Sequence, residues 1–214
     1  MEDFGSNSLA KIGVAGRWEG LSNNGNLVIT AGAGPFGEAA LQLTGGNNVG
    51  FGNCLTKSVI GDGTQMTTCY VCFWFKIAAN TSNVSNGISL AALFDGITTQ
   101  CSLNINTSGQ LAVNRGGPVG TQLVAAASPP IGQYGWLVWK TVLGTGTAGS
   151  TEVRWNGTTI LGPTSNLNTA NSGVARANGI ACGSVGGNNN SGTLLNYFIA
   201  DFLLFRSFTI SLYS

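Results

Sequence analysis

TEVRWNGTTIL, residues 151–161, decides the fold class. Val153 and Trp155 alternate with Glu152 and Arg154, and an Asn156-Gly157 pair follows. Strict alternation puts successive side chains on opposite faces of a half-buried strand. Asn-Gly is the preferred pair for a two-residue type I′ turn, which needs positive φ at both central positions. The segment therefore predicts a β-hairpin.

Working outward, CSLNINTSGQLAVNR (101–115) repeats the pattern, with Leu103 and Ile105 before a Thr-Ser-Gly turn and Leu111 and Val113 after it. In CYVCFWFKI (69–77), Cys69, Val71, Phe73, Phe75 and Ile77 share one face, and Tyr70, Cys72, Trp74 and Lys76 share the other; this spacing predicts a central strand. NYFIADFLLF (196–205) is apolar on both faces apart from Asp201, as in a strand covered on both sides or lying at a subunit interface. Helical periodicity almost nowhere persists for three turns, and the 33 glycines of the chain supply repeated tight turns. Loops rich in Asn and Gly, such as NNVGFGN, NTSNVSNG and GGNNNSG, read as connections at the ends of a sandwich. At 214 residues, a single all-β domain is expected over 21–214, with residues 1–20 as an N-terminal arm or first edge segment.

The composition narrows the function classes. Hydrophobic residues make up 43% of the chain and charged residues 8%, which leaves Gly, Ser, Thr and Asn to form most of the exterior. Protein interfaces are depleted in Lys and Glu, so such a surface is expected to be buried against neighbouring molecules. The net charge of +1 comes without a basic cluster, which speaks against nucleic-acid binding. No run approaches the roughly 20 apolar residues of a membrane span, the densest being Tyr70 to Phe75, so no membrane insertion is expected. The N-terminus has no basic and apolar segment of the kind that marks a secretory signal, and synthesis in a cytoplasm is expected. The Asn-x-Ser/Thr triplets at Asn80, Asn83, Asn106, Asn156 and Asn189 then reflect composition rather than glycosylation.

Histidine is absent, which removes Ser-His-Asp and Cys-His catalysis and the commonest metal ligand. Glu19, Glu38, Asp62, Asp95, Glu152 and Asp201 are isolated in sequence, so a glycosidase carboxylate pair could form only across strands; Glu152 and Asp95 are the acids whose neutralisation would test it. No cluster of acids marks a calcium loop. Gly32, Gly34 and Gly37 spell G-x-G-x-x-G, but no helix pattern follows, and they read as a turn between strands. Cys69 and Cys72 form C-x-x-C inside a strand, where a separation of three sends them to opposite faces. With Cys54, Cys101 and Cys182, they read as free buried thiols. Trp18, Trp74, Trp136, Trp139 and Trp155 are core or sugar-stacking candidates; Trp136 and Trp139 must face opposite ways. No catalytic, cofactor-binding or metal-binding residue is assigned, and no cofactor is expected.

The order of these landmarks resembles the concanavalin A-like or laminin-G-like jelly-roll proteins found among bacteriophage virion and tail components. EDFGSNSL (2–9) and GAGPFGEAALQL (32–43) resemble that group's opening, and CYVCFWFKI its first long core strand. SLAALFDGITTQCSLNINTSGQLAVNR (89–115) is similar to its Asp-Gly turn, here Asp95-Gly96, and Gly-Gln-Leu return. YGWLVWKTVLGTGTAGSTEVRWNGTTIL (134–161) resembles its tryptophan-led strand and Asn-Gly hairpin. IADFLLF (199–205) resembles the closing strand, with Ala200 in place of the usual second acid beside Asp201. The resemblance implies a two-sheet antiparallel jelly roll with little helix. It further implies a non-enzymatic virion structural protein, a capsid-decoration, spike or tail component, whose partners are copies of itself and other virion proteins. A glycan-binding adhesin that recognises host surface sugars is the alternative on the same fold.

Overall fold

A computed structural model describes residues 18, 20–22, 27–44, 54–57, 65–79, 87–185 and 196–205. All but two residues of the expected N-terminal arm, Trp18 and Gly20, lie outside them. Two antiparallel sheets pack face to face, and no helix occurs among the described residues. The fold is the all-β jelly-roll sandwich that the sequence predicts.

The back sheet is formed by β1 (Gly20–Ser22), β4 (Cys54–Lys57), β6 (Ile88–Asp95), β7 (Thr98–Ile105), β8 (Leu111–Arg115), β9 (Thr121–Ala126) and β13 (Gly179–Gly183), in the order β1-β4-β13-β6-β7-β8-β9. The front sheet is formed by β2 (Leu27–Thr30), β3 (Ala40–Thr44), β5 (Thr68–Ala79), β10 (Gly135–Val142), β11 (Gly149–Trp155), β12 (Thr158–Leu167) and β14 (Asn196–Phe205), in the order β12-β11-β10-β5-β14-β3-β2. CYVCFWFKI becomes the centre of the front sheet, with β10 on one side and β14 on the other.

Alternation fills the core. From the front sheet, Val71, Phe73, Phe75, Ile77, Leu137, Trp139, Val153, Tyr197 and Ile199 point inward, and Leu90, Leu93, Leu103, Ile105, Leu111 and Val113 meet them from the back sheet. Full burial of each large apolar side chain is worth about 1.5–3 kcal/mol. Trp139 also satisfies its indole: Nε1 donates to Thr151 Oγ1 at 3.1 Å, and that hydroxyl donates to the Lys140 carbonyl. Phe73 stacks on Phe202, with ring centroids 5.5 Å apart.

The Asn-Gly hairpin forms as the sequence predicts. Asn156 and Gly157 have φ of 50° and 83°, the pair of positive values that a type I′ turn requires. Gly135 has a different reason to be glycine: a Cβ there would lie 2.1 Å from the Trp155 indole, so its absence lets Trp155 fold inward against Phe75.

Short polar residues fill part of the interior as well as the exterior. Ser89, Gln100, Ser102, Asn104, Asn114, Thr141 and Thr151 are all buried. Most of them use short side chains to bond nearby carbonyls or amides, which makes burial of a polar group affordable. Abundant Ser, Thr and Asn therefore do not by themselves mark the solvent face.

Candidate functional site

The outer face of the front sheet carries the candidate site. The inward set on β5 and β10 leaves Tyr70, Trp74 and Lys76 on one strand and Trp136, Val138 and Lys140 on the next, all half-buried. Register does the rest: Lys140 lies opposite Tyr70, Val138 opposite Cys72, and Trp136 opposite Trp74. On β11, Glu152 lies opposite Lys140, and Arg154 opposite Val138.

Tyr70, Trp136, Val138, Lys140, Glu152, Arg154 and Gly157 line a cleft of about 340 Å³. Arg154 Nε donates to Glu152 Oε1 at 2.7 Å, and Thr159 Oγ1 donates to the same oxygen at 2.9 Å. Burial pushes the Glu152 carboxyl up, but these two hydrogen bonds and the Arg154 and Lys140 charges outweigh it and leave it below the usual carboxylate range. Glu152 is thus an anion held by its neighbours rather than a proton donor. Lys140 Nζ stands 5.6 Å from the centre of the Tyr70 ring. The hairpin tip is tied to the mouth of the cleft: Trp136 N donates to Asn156 Oδ1 at 2.8 Å, and Asn156 N donates to the Trp136 carbonyl.

Aromatic residues continue the face. Trp136 meets Trp74 edge-on at 5.5 Å, and Trp74 meets Phe36 at 5.3 Å. Phe36, in the turn between β2 and β3, is 75% exposed. Tyr134 donates its hydroxyl to the Ala33 carbonyl; burial, aided by the Glu38 charge, raises its phenol above its usual value.

The sequence-nominated residues separate cleanly. Trp18 and Trp139 are core, and Trp155 packs against the core, whereas Trp74 and Trp136 face outward. The five cysteines are free and buried. Burial pushes the Cys54, Cys69 and Cys72 thiols up to about 12, so they are not nucleophiles. Gly32 and Gly37 have positive φ in the turn between β2 and β3. Asp95 pairs with Arg176 at 3.1 Å at one end of the sandwich, remote from the cleft. Asp201 sits at a bulge of β14, three strand spacings from β11. That is roughly 14 Å, beyond the ~9.5 Å limit for a glycosidase carboxylate pair. Among the described residues, Glu152 is the only acid lining the cleft, and no group of three or more His, Cys, Asp or Glu could hold a metal ion.

The residues not singled out from sequence are Tyr70, Lys140 and Arg154 as a set. Alternation already places Trp136, Val138 and Lys140 on one face of GWLVWK. The pairing of β10 with β5, some 70 residues away, carries no local signal.

No protein-family model matches the chain, and no curated protein does. Solved structures do. The endo-β-1,4-glucuronan lyase from the fungus Trichoderma reesei is 10% identical, with a TM-score of 0.59 over 88% of this chain and 91% of that one. The cellulose induced protein Cip1 is 16% identical, with a TM-score of 0.58 over 85% of each chain. A mutant alginate lyase, Aly36B, in complex with alginate trisaccharide, is 14% identical, with a TM-score of 0.51 over 86% of each. These likenesses establish a concanavalin A-like jelly-roll fold.

They also correct the sequence reading of function. The expected non-enzymatic virion structural protein has no counterpart among the neighbours named above: two of the three are polysaccharide lyases, and nothing in these matches links the chain to a phage. The physical reason lies in where the charges sit. Low overall charge implied a surface buried by partners, yet of the six described cations, Lys57, Lys76, Arg115, Lys140, Arg154 and Arg176, three project from one sheet face beside half-buried aromatic rings. The scarce charge is thus gathered on one face rather than removed from the surface, which the overall composition does not reveal.

Proposed function

We propose that the protein binds a linear acidic polysaccharide across the front sheet and cleaves it by β-elimination in the Tyr70–Lys140–Arg154 cleft. The observation that carries this reading is the cleft itself: two cations and a phenol beside an outward indole, with a single acid that its own neighbours hold ionised. Two-carboxylate hydrolysis has no second partner for Glu152 among the described residues. A uronate, by contrast, supplies its own carboxylate, and Lys140 and Arg154 would neutralise it. That neutralisation makes the proton on the adjacent ring carbon easier to remove.

The step balances without water or a redox partner. Tyr70, in its deprotonated form, takes the proton from the carbon next to the carboxylate. The electron pair left behind forms a ring double bond, the bond to the glycosidic oxygen breaks, and Tyr70 returns the proton to that oxygen. Trp136 supplies a stacking surface for the sugar ring. The neighbours that act on glucuronan and alginate support this substrate class.

The test is incubation with polyglucuronate and with alginate, following the ultraviolet absorbance of the unsaturated sugar. The expected result is a steady rise that Tyr70→Phe lowers by at least about 100-fold and Lys140→Met by about 10- to 100-fold. Binding with no unsaturated product from either polymer would overturn the elimination step. Neither binding nor product would overturn the whole reading.

A further inference from the structure

At the opposite end of β5 from the cleft, the Lys76 ammonium sits between two ring faces, 4.5 Å from the centre of Tyr134 and 4.7 Å from the centre of Phe198. No ion pair involves it among the described residues. Ring faces attract the charge but accept none of its three N–H donors in a fixed direction, so the head group is held in place with its hydrogen-bonding capacity unspent. Glu38, whose charge acts on Tyr134, makes no ion pair with Lys76: one carboxylate oxygen accepts from Phe36 N at 2.9 Å, and the other is buried beside Gly34 without a hydrogen-bond partner.

Lys76 is six residues along β5 from Tyr70, the residue opposite Lys140, which places the two cations about 20 Å apart along the strand direction. Between them run the edge-to-face rings of Trp136, Trp74 and Phe36. Such a ledge offers apolar surface to sugar rings, with a cation at each end to meet their carboxylates. A single sugar or a disaccharide cannot reach both.

We infer that Lys76, clamped by Tyr134 and Phe198, is a distal anion subsite, and that the ligand of this face is an extended acidic chain of several sugars gripped at both ends of the aromatic ledge. This rests on the proposed glycan reading of the cleft and adds a minimum substrate length to it. Tyr134 and Phe198 act as positioning residues that keep the ammonium on the outer face.

The experiment is calorimetric titration of the full chain with acidic oligosaccharides of increasing length, cut from the polymer that the wild type binds. Wild-type affinity should climb with length until the chain spans both cations and then level off. Lys76→Met keeps the stem that packs on the rings; it should lower the affinity of long oligomers about tenfold and erase the dependence on length, and Lys76→Arg should restore it. Lys140→Met should weaken long and short oligomers alike. A melting temperature unchanged in Lys76→Met would exclude misfolding as the cause. If Lys76→Met binds long oligomers as the wild type does, the distal subsite is wrong while the cleft stands. If the wild type binds no acidic oligomer of any length, the cleft reading fails and takes this inference with it.

Discussion

The outer faces of the two sheets start from the same alternation and end in opposite states. On the back sheet, the outward positions are filled by Ser89, Ala92, Gln100, Ser102, Asn104, Ala112, Asn114 and Ala181, all buried. The protein's own backbone closes over many of them: Ser102 Oγ donates to the Gly116 carbonyl at 2.6 Å, Asn114 Nδ2 to the Pro118 carbonyl at 3.0 Å, and Val185 N to Ser89 Oγ at 2.7 Å. On the front sheet, Cys72 is buried, but the other outward positions carry Tyr70, Trp74, Lys76, Trp136, Lys140 and Arg154, none fully covered. Short side chains let loops settle onto a sheet and satisfy it; long charged and aromatic ones hold the face open. The back face is closed by internal hydrogen bonds, and the front face stays open.

The sharpest way to break this comparison uses two tryptophans on one strand. Trp139→Ala removes a fully buried ring and the indole donor to the Thr151 hydroxyl, and should destabilise the protein by about 3–5 kcal/mol. Trp136→Ala, three residues away on the open face, loses chiefly its edge contact with Trp74 and should cost about 1 kcal/mol, yet weaken acidic polymer binding several-fold. Urea unfolding and polymer titration of both variants give the two readouts. Equal stability losses would show that the front face is packed like the core, and the distinction drawn between the faces would collapse.

The back face has its own test, of middle size. Gln100 Oε1 accepts from Asn171 N at 2.8 Å and from Ser172 N at 3.2 Å, and Nε2 donates to the Ser172 hydroxyl. Gln100→Leu leaves those two amides without their acceptor and should cost about 1–3 kcal/mol. Polymer affinity should not change, because the substitution lies across the sandwich from the cleft. A drop in affinity comparable to that of Trp136→Ala would show that the two faces are coupled.

How much of this was legible in sequence divides along the same line. The 151–161 hairpin was, because its information is local: Asn156-Gly157 fixes the turn and the flanking alternation fixes the faces. The inward and outward sets of β5 were legible for the same reason. The cleft was not, because it exists only once Lys140 lies opposite Tyr70 and Glu152 opposite Lys140, and strand order and register are tertiary facts. The closure of the back face was not legible for a third reason. Ser102, Asn104 and Asn114 look like solvent-facing residues, and only the Gly116 and Pro118 carbonyls that meet Ser102 and Asn114 reveal why such residues can be buried.

The smallest effect concerns the acid that lines the cleft, Glu152. Glu152 belongs to the cleft by position but to the back-face style by chemistry, since Arg154 and Thr159 saturate the oxygen they share. Its folded pKa is lowered, so the pair's contribution is fully present above the ordinary glutamate value of about 4.3 and is lost as the pH falls through the lowered folded value. Arg154 is half in solvent, with 51% of its side chain exposed, so screening holds that contribution to a few tenths of a kcal/mol. Glu152→Gln should therefore lose that much stability at neutral pH and show correspondingly less further loss than the wild type on acidification, measured as the difference in urea unfolding free energy between pH 7 and pH 3. It also raises the cleft's charge by one, so acidic polymer should bind the variant slightly more tightly at neutral pH. If binding weakened instead, Glu152 would be holding Arg154 in its working position, and the acid would count among the residues that build the site rather than those that only offset its charge.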